Sequence, residues 1–243
     1  MAVHRTKAGT RILSVLEIVA REQPIGVSEV ARLLGEDKST VQRMLMTLSD
    51  AGWITAVGDG KTRCWEPSNR VATLARYAQR GNDLRQRAQI VLRDLRDKTG
   101  ETVVLTVLDQ DKFTVVEMAE SEQLLRIAPH VGQHVGITTG ASGPAFLPFL
   151  SAEQQRALLG EEPNSSLRAT YKRVKRDGYV LFNNPKLGGS TNFAAPVFGI
   201  DGQPVAVVVL SAPAGRIPSN RHLDVAALVL SAAGELSTGE PNT

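Results

Sequence analysis

Six residues between positions 38 and 47 carry the most specific chemistry in the chain: Lys38, Ser39, Thr40, Gln42, Arg43 and Thr47. At helical spacing they share one face. Arg and Gln pair with the exposed edges of bases, while Lys, Ser and Thr bond phosphate oxygens. The opposite face holds Val41, Met44, Leu45 and Leu48, at i, i+3, i+4 and i+7. A rod with an apolar back and this wet front suits the major groove of double-stranded DNA. Other chemistries find less support. Cys64 has no His near it in sequence and reads as a small strand residue. His130 and His134 lie four apart, but no third metal ligand can be placed beside them. Gly188-Gly189-Ser190 lacks the lysine of a phosphate loop, and Asp109 and Asp111 read as turn residues. No nucleophile, base and oxyanion hole assemble, and no cofactor is expected.

The elements that must hold this face can be read outward from it. Asp37 is placed to cap a recognition helix over 38–50. Val27, Val30, Ala31, Leu33 and Leu34 give a preceding helix its apolar stripe, and Gly35-Glu36-Asp37 makes the turn between them. This is a helix-turn-helix. Residues 52–57 and 62–66 read as two strands around the turn Gly58-Asp59-Gly60-Lys61, a basic-tipped hairpin in which Trp53 and Trp65 should face each other. Lys61 and Arg63 are its candidate phosphate contacts. A helix over 10–21 should pack beneath, ended by Pro24-Ile25-Gly26, and Arg5, Lys7 and Arg11 lie where they can reach phosphate. Together these make a winged helix over 1–68 that reads DNA.

Residues 69–82 read as a linker helix and 83–98 as a helix covering the sheet that follows. From Glu101 the apolar period becomes extended. Strands are expected at 102–108, 113–118, 124–128 and 179–182, with a hairpin of 193–198 and 204–211 around Asp201-Gly202. Pro129 to Gly136 and Asn183 to Asn192 read as loops. Helices are expected over 139–150, 152–159, 167–176 and 220–236. The back domain, 83–243, is therefore α+β with a mostly antiparallel sheet. At 243 residues the chain suits two domains. Residues 1–98 carry a net charge of +6 and 99–243 a net −3, a basic front joined to a mildly acidic back. The single Cys excludes an internal disulfide and a cysteine-built zinc site. No apolar run reaches membrane-spanning length and no secretory signal is present, so a cytoplasmic protein away from the membrane is expected.

The chain resembles the IclR family of bacterial transcriptional regulators. The matching stretches are VSEVARLLGEDKSTVQRMLMTLSDAGWI, VGQHVGITTGASGPAFL, RDGYVLF and FAAPVFGIDGQPVAVVVLSAP, in the family's order and nearly its spacing. The resemblance implies a GAF-like effector-binding and oligomerisation domain behind the winged helix. It also implies a homodimer or homotetramer on palindromic operators, whose affinity a small organic acid or aromatic effector changes. It places the pocket at Gly140 and Ala141, the loop Phe182 to Asn192, and Ser211. Helix N–H groups at Gly140 and Ala141 would attract a carboxylate, and Asn192 and Ser211 would donate hydrogen bonds. Several positions depart from the family pattern. Gly140 stands where a Thr is common, Pro144 for a Lys, Asn183-Asn184-Pro185 for acidic residues, Asn192 for a Cys and Val209 for a Ser. Two alternatives stay open: a back domain that only dimerises, and an enzyme whose helical front is an interaction module.

Overall fold

The computed structural model describes residues 7–60, 63–78, 83–184 and 189–241. Two compact units divide between Asn82 and Asp83.

In the first unit α1 (Lys7–Glu22), α2 (Val27–Leu34) and α3 (Lys38–Asp50) pack on one another, followed by β2 (Ile54–Val57), β3 (Cys64–Pro67) and α4 (Asn69–Ala78). Gly35 ends α2 in the left-handed conformation (φ 71°), which an L side chain rarely adopts. Asp37 then starts α3, its carboxylate accepting the Thr40 N–H at 2.9 Å. Val15, Val19, Val30, Val41 and Leu45 are wholly enclosed, so the expected apolar faces do meet. Two expectations need correction. Ile25–Gly26, read as a helix stop, forms a short strand β1 pairing with β3, with Ile25 opposite Trp65; the small sheet runs β1-β3-β2. Trp65 lies opposite Ala56, not Trp53. Trp65 is core, 2% exposed, while Trp53 precedes β2 and lies under the Arg70 guanidinium, 4.7 Å from the ring centre.

The second unit is a three-layer α+β body. α5 (Asp83–Thr99) leads into β4 (Thr102–Asp109), β5 (Lys112–Ala119) and β6 (His134–Gly136). Then come α6 (Ser142–Phe146), α7 (Ala152–Leu159), α8 (Ser165–Asp177), β7 (Val180–Asn184), β8 (Ser190–Phe198), β9 (Pro204–Pro213) and α9 (His222–Leu236). All neighbours in the order β6-β5-β4-β9-β8-β7 are antiparallel. Strand alternation explains why the central strands are apolar almost throughout. Ala206, Val208 and Leu210 of β9 meet α5 and α9, while Val207 and Val209 meet α6 and α8 on the other face.

The run Leu124 to Ala128, expected as a strand, pairs with no strand among the described residues. The β5 edge it would need is taken by β6, where Lys112 lies opposite Gly136 and Phe113 opposite Val135. Leu124 is 99% exposed. The helix expected over 139–150 is shorter, with α6 giving way to a 3-10 turn at Leu147–Phe149 that holds Pro148. Gly143 in α6 is required by close approach, since a Cβ there would sit 1.8 Å from the Ile137 carbonyl oxygen.

Candidate nucleic-acid interface and ligand cavity

The front of α3 is built as its periodicity demands. Val41, Leu45 and Leu48 are buried, and Lys38, Ser39 and Arg43 are exposed, with Thr40 and Gln42 half-buried beside them. Hydrogen bonds sort these groups further. Ser39 Oγ donates to Asp37 Oδ1 at 2.6 Å, so its proton is engaged within the cap. Thr40 Oγ1 accepts from Arg43 Nη2 at 3.3 Å, and Thr47 Oγ1 donates to the Arg43 carbonyl at 2.9 Å. The bonds from Ser39, then from Thr40, hold the Asp37 carboxyl well below the usual carboxylate range. An ionised Asp37 at this helix N-terminus keeps the first turn of α3 closed. Arg63 is exposed on the wing, whereas Lys61 lies outside the described residues, as does Arg5. Arg11 pairs with Glu36 at 2.9 Å and is thereby turned toward its own unit.

The start of α4 is stitched to the end of α3. Ser68 Oγ donates to the Gly52 carbonyl at 2.6 Å, and Arg70 Nη1 donates to the Ala51 carbonyl at 2.7 Å. The last turn of the recognition helix thus ends on a cation, which its carbonyl dipoles favour.

In the second unit a cavity of about 320 Å³ opens on the face of β4, β8 and β9 that carries α6. Its apolar walls include Val104, Val115, Ile127, Val135 and Val209. Of the expected pocket residues, Gly140, Ala141, Asn192 and Ser211 line it. Phe182 stands just behind the wall: its side chain packs on the cluster of Val104, Ala141 and Val209 that bounds the cavity, and its carbonyl bonds Asn192. Register brings that carbonyl within reach, because Phe182, Asn192 and Ser211 lie opposite one another on adjacent strands β7, β8 and β9 and share one face of the sheet. Asn192 Nδ2 donates to the Phe182 carbonyl at 3.1 Å and to Ser190 Oγ at 3.0 Å. Ser211 Oγ donates to Asn192 Oδ1 at 2.7 Å. The protons expected to reach a ligand are therefore spent within the wall, which presents lone pairs to the cavity instead.

Sequence reasoning missed Thr106, Ser142, Arg126, Gln133 and Thr139, all of which line the cavity, whereas Ser190 lies in the stretch 182–192 that the resemblance had placed there. Thr106 and Ser142 share a hydrogen bond at 2.9 Å. One of these had a signal: Thr106 is two residues from Val104 on β4 and therefore on the same face. At Gly140 a Cβ would come within 2.5 Å of Val135 Cγ1. Val135 fills the space a side chain at 140 would take, and the wall there is apolar. α6 has only five residues, so its N-terminal field is weaker than the helix expected over 139–150 would have supplied. Among the described residues no group of His, Cys, Asp and Glu could hold a metal, and His134 Nδ1 lies 3.0 Å from Thr114 Oγ1. No helix among them is long and apolar enough to cross a membrane.

Comparison with known proteins bears on both regions. The IclR helix-turn-helix domain matches residues 10–58, and the bacterial transcriptional regulator IclR C-terminal domain matches 76–238. The HTH-type transcriptional regulator BhcR of Paracoccus denitrificans is 27% identical over 96% of this chain and 87% of its own length. The transcriptional repressor IclR of Escherichia coli is 25% identical over 97% of this chain and 90% of its own. The crystal structure of Thermotoga maritima IclR shares the fold, with a TM-score of 0.74 at 20% identity, covering 96% of this chain and 98% of that one. So does an IclR homolog from Microbacterium hydrocarbonoxydans complexed with 4-hydroxybenzoate, at 0.75 and 18% over the same shares. With a helix-turn-helix at its front and the matching domain over most of the remainder, the chain belongs to the IclR family of bacterial transcriptional regulators and is a DNA-binding regulator of transcription.

Proposed function

We propose that the chain acts in the cytoplasm as a homodimer or homotetramer on palindromic operators, with Gln42 and Arg43 of α3 reading base edges in the major groove. Lys38, Thr40 and the wing residues Lys61 and Arg63 supply contacts to phosphate, joined by Ser39 when its hydroxyl turns from Asp37. Residues 1–68 form the DNA-binding unit, 69–82 the linker, and 83–243 the unit that binds effector and assembles the oligomer. A small organic acid or aromatic effector in the cavity beneath α6 shifts the population of dimer geometries. The spacing of the two recognition helices changes with it, and so does affinity, because half-sites lie whole helical turns apart. The observation that carries this reading is the amphipathic build of α3, with Val41, Leu45 and Leu48 in the core and Arg43 turned to solvent. The relatives are regulators of transcription, which supports a non-enzymatic role. The 4-hydroxybenzoate held by the Microbacterium homolog supports an aromatic acid as the first probe.

Selection of bound duplexes from a random pool, followed by titration of Arg43→Ala, tests the reading. The variant should lose on the order of 1–3 kcal/mol of specific binding, as for a base-contacting arginine. Wild-type protein that prefers no duplex over bulk DNA at physiological ionic strength overturns it. A second reading, a back domain that only assembles the oligomer, is favoured by one observation: the Asn192 amide protons and the Ser211 hydroxyl proton are taken up within the wall without a ligand. Calorimetry with short-chain and aromatic acids separates the two.

A further inference from the structure

The cavity is polarised, and its polarity comes from a residue with no strand or helix to announce it. Arg126 is the one charged residue among the described lining. Its side chain is 38% exposed, whereas Thr106, Ser142, Ser190, Asn192 and Ser211 are 1–9% exposed, so the cation stands at the solvent end and the hydroxyl wall lies deep. In this structure Arg126 Nε donates to Glu120 Oε1 at 2.5 Å, and Nη1 reaches the Gln123 carbonyl at 3.3 Å. Among the described residues no hydrogen bond engages Nη2, and Glu120 itself stands outside the cavity wall.

The segment that carries Arg126 is anchored from below. Arg216 Nη2 donates to the Leu125 carbonyl while its Nε lies 3.4 Å from Glu101 Oε1. Ser121 Oγ donates to the Gly100 carbonyl at 2.6 Å, and the Gly132 N–H to the Val115 carbonyl at 2.7 Å. The run that fails to pair as a strand is thus held as a wall, with its guanidinium at the cavity's rim.

We propose that Arg126 is the anion-selecting residue of this cavity: a ligand carboxylate takes the guanidinium in place of Glu120, and the ligand's far end gives a proton to the lone pairs of the Ser211–Asn192 wall. This rests on the reading of the cavity as an effector site and narrows it to a class, small acids with an apolar body and a hydroxyl or amino donor opposite the carboxylate. A planar fork suits a carboxylate better than a point charge does. The exchange replaces one carboxylate by another, so its gain is smaller than that of a buried pair and appears chiefly as selectivity.

The test is calorimetry on the full chain with 4-hydroxybenzoate, 4-hydroxyphenylacetate, their primary amides, and the two acids lacking the hydroxyl. Wild type should prefer a hydroxy acid over its amide by about tenfold, the scale of a charge-assisted hydrogen bond discounted for exposure. It should also prefer the hydroxy acid over the acid without the donor. Arg126→Met should abolish the acid–amide preference while leaving the amide's affinity in place, and Glu120→Gln should strengthen acid binding. Arg126→Lys should recover part of the preference. Equal binding of acid and amide by wild type, or a preference that survives Arg126→Met, overturns the inference and leaves the effector site standing. Failure of every probe, acid and amide alike, to bind wild type sinks the effector reading of the cavity together with it.

Discussion

Arg70→Met is the sharpest test of how the recognition helix is held. In the structure Arg70 spans three features of the first unit: the α4 N-terminus, the Ala51 carbonyl that caps α3, and the face of Trp53. A hydrogen bond from a charged donor contributes about 1.5–3 kcal/mol and an exposed cation–π contact about 0.5–1 kcal/mol. Arg70 is exposed and Met keeps part of the packing, so the loss should fall at the low end, about 1–2 kcal/mol. For a unit of this size each kcal/mol lowers the melting temperature by about 4–8 °C. Intrinsic fluorescence isolates the measurement, because the chain's two tryptophans, Trp53 and Trp65, both belong to the first unit. Their transition should drop by roughly 5–10 °C in the Met variant, with Lys intermediate because it keeps a charge without a stacking plane. The same transition should follow operator affinity, since the Ala51 bond fixes the end of α3. A Met variant whose tryptophan transition stays within about 1 °C of wild type refutes the reasoning, for then the bonds in this junction contribute nothing net.

Three further outcomes follow from buried or capping groups. Tyr171 is 7% exposed with no partner for its hydroxyl among the described residues, and burial pushes the phenol up to about 12. Tyr171→Phe should therefore stabilise the second unit by about 1 kcal/mol, seen as a later calorimetric transition, because an unsatisfied buried hydroxyl is removed. Glu101 is 3% exposed, and burial raises its carboxyl despite the opposing Arg216 charge. A carboxyl raised on folding binds protons better in the folded state, so its contribution is present at low pH and declines as pH rises from the ordinary glutamate range through the raised value. Glu101→Gln should flatten that decline in urea titrations across pH. Asp37 has the opposite sign: its depressed carboxyl stabilises α3 above the ordinary aspartate range, and that support fades as acid is added. Asp37→Asn keeps a cap acceptor and should weaken the acid dependence of the first unit, while Asp37→Ala should lower its melting temperature at neutral pH; an Ala variant that melts like wild type denies the cap its role.

What could be read from residue order, and what could not, divides by the range of the interaction that decides it. α3 was legible to the residue because its determinants are local, Asp37 at the cap and apolar side chains one turn apart. α7 was legible for the same reason, Ser151 and Gln154 forming a reciprocal cap. The β8–β9 hairpin followed from its turn at Asp201-Gly202 and the apolar runs on either side. The run Leu124 to Ala128 carries the composition of a strand, yet a strand exists only where an edge is open, and β6 had closed that edge from ten residues downstream. Ile25–Gly26 shows the converse: a two-residue strand with no pattern of its own, created because Trp65 brought β3 beside it. The cavity repeats the lesson in chemistry. Gly140, Ala141, Asn192 and Ser211 were placed by resemblance, but whether Asn192 and Ser211 face a ligand with protons or lone pairs depends on which of them bonds the other across β8 and β9. Arg126 reaches the rim only because its segment failed to join the sheet. A charged residue in an apolar run is discordant as a sheet strand and suited to a cavity wall, and that discord was the one local sign that this segment belonged to a site.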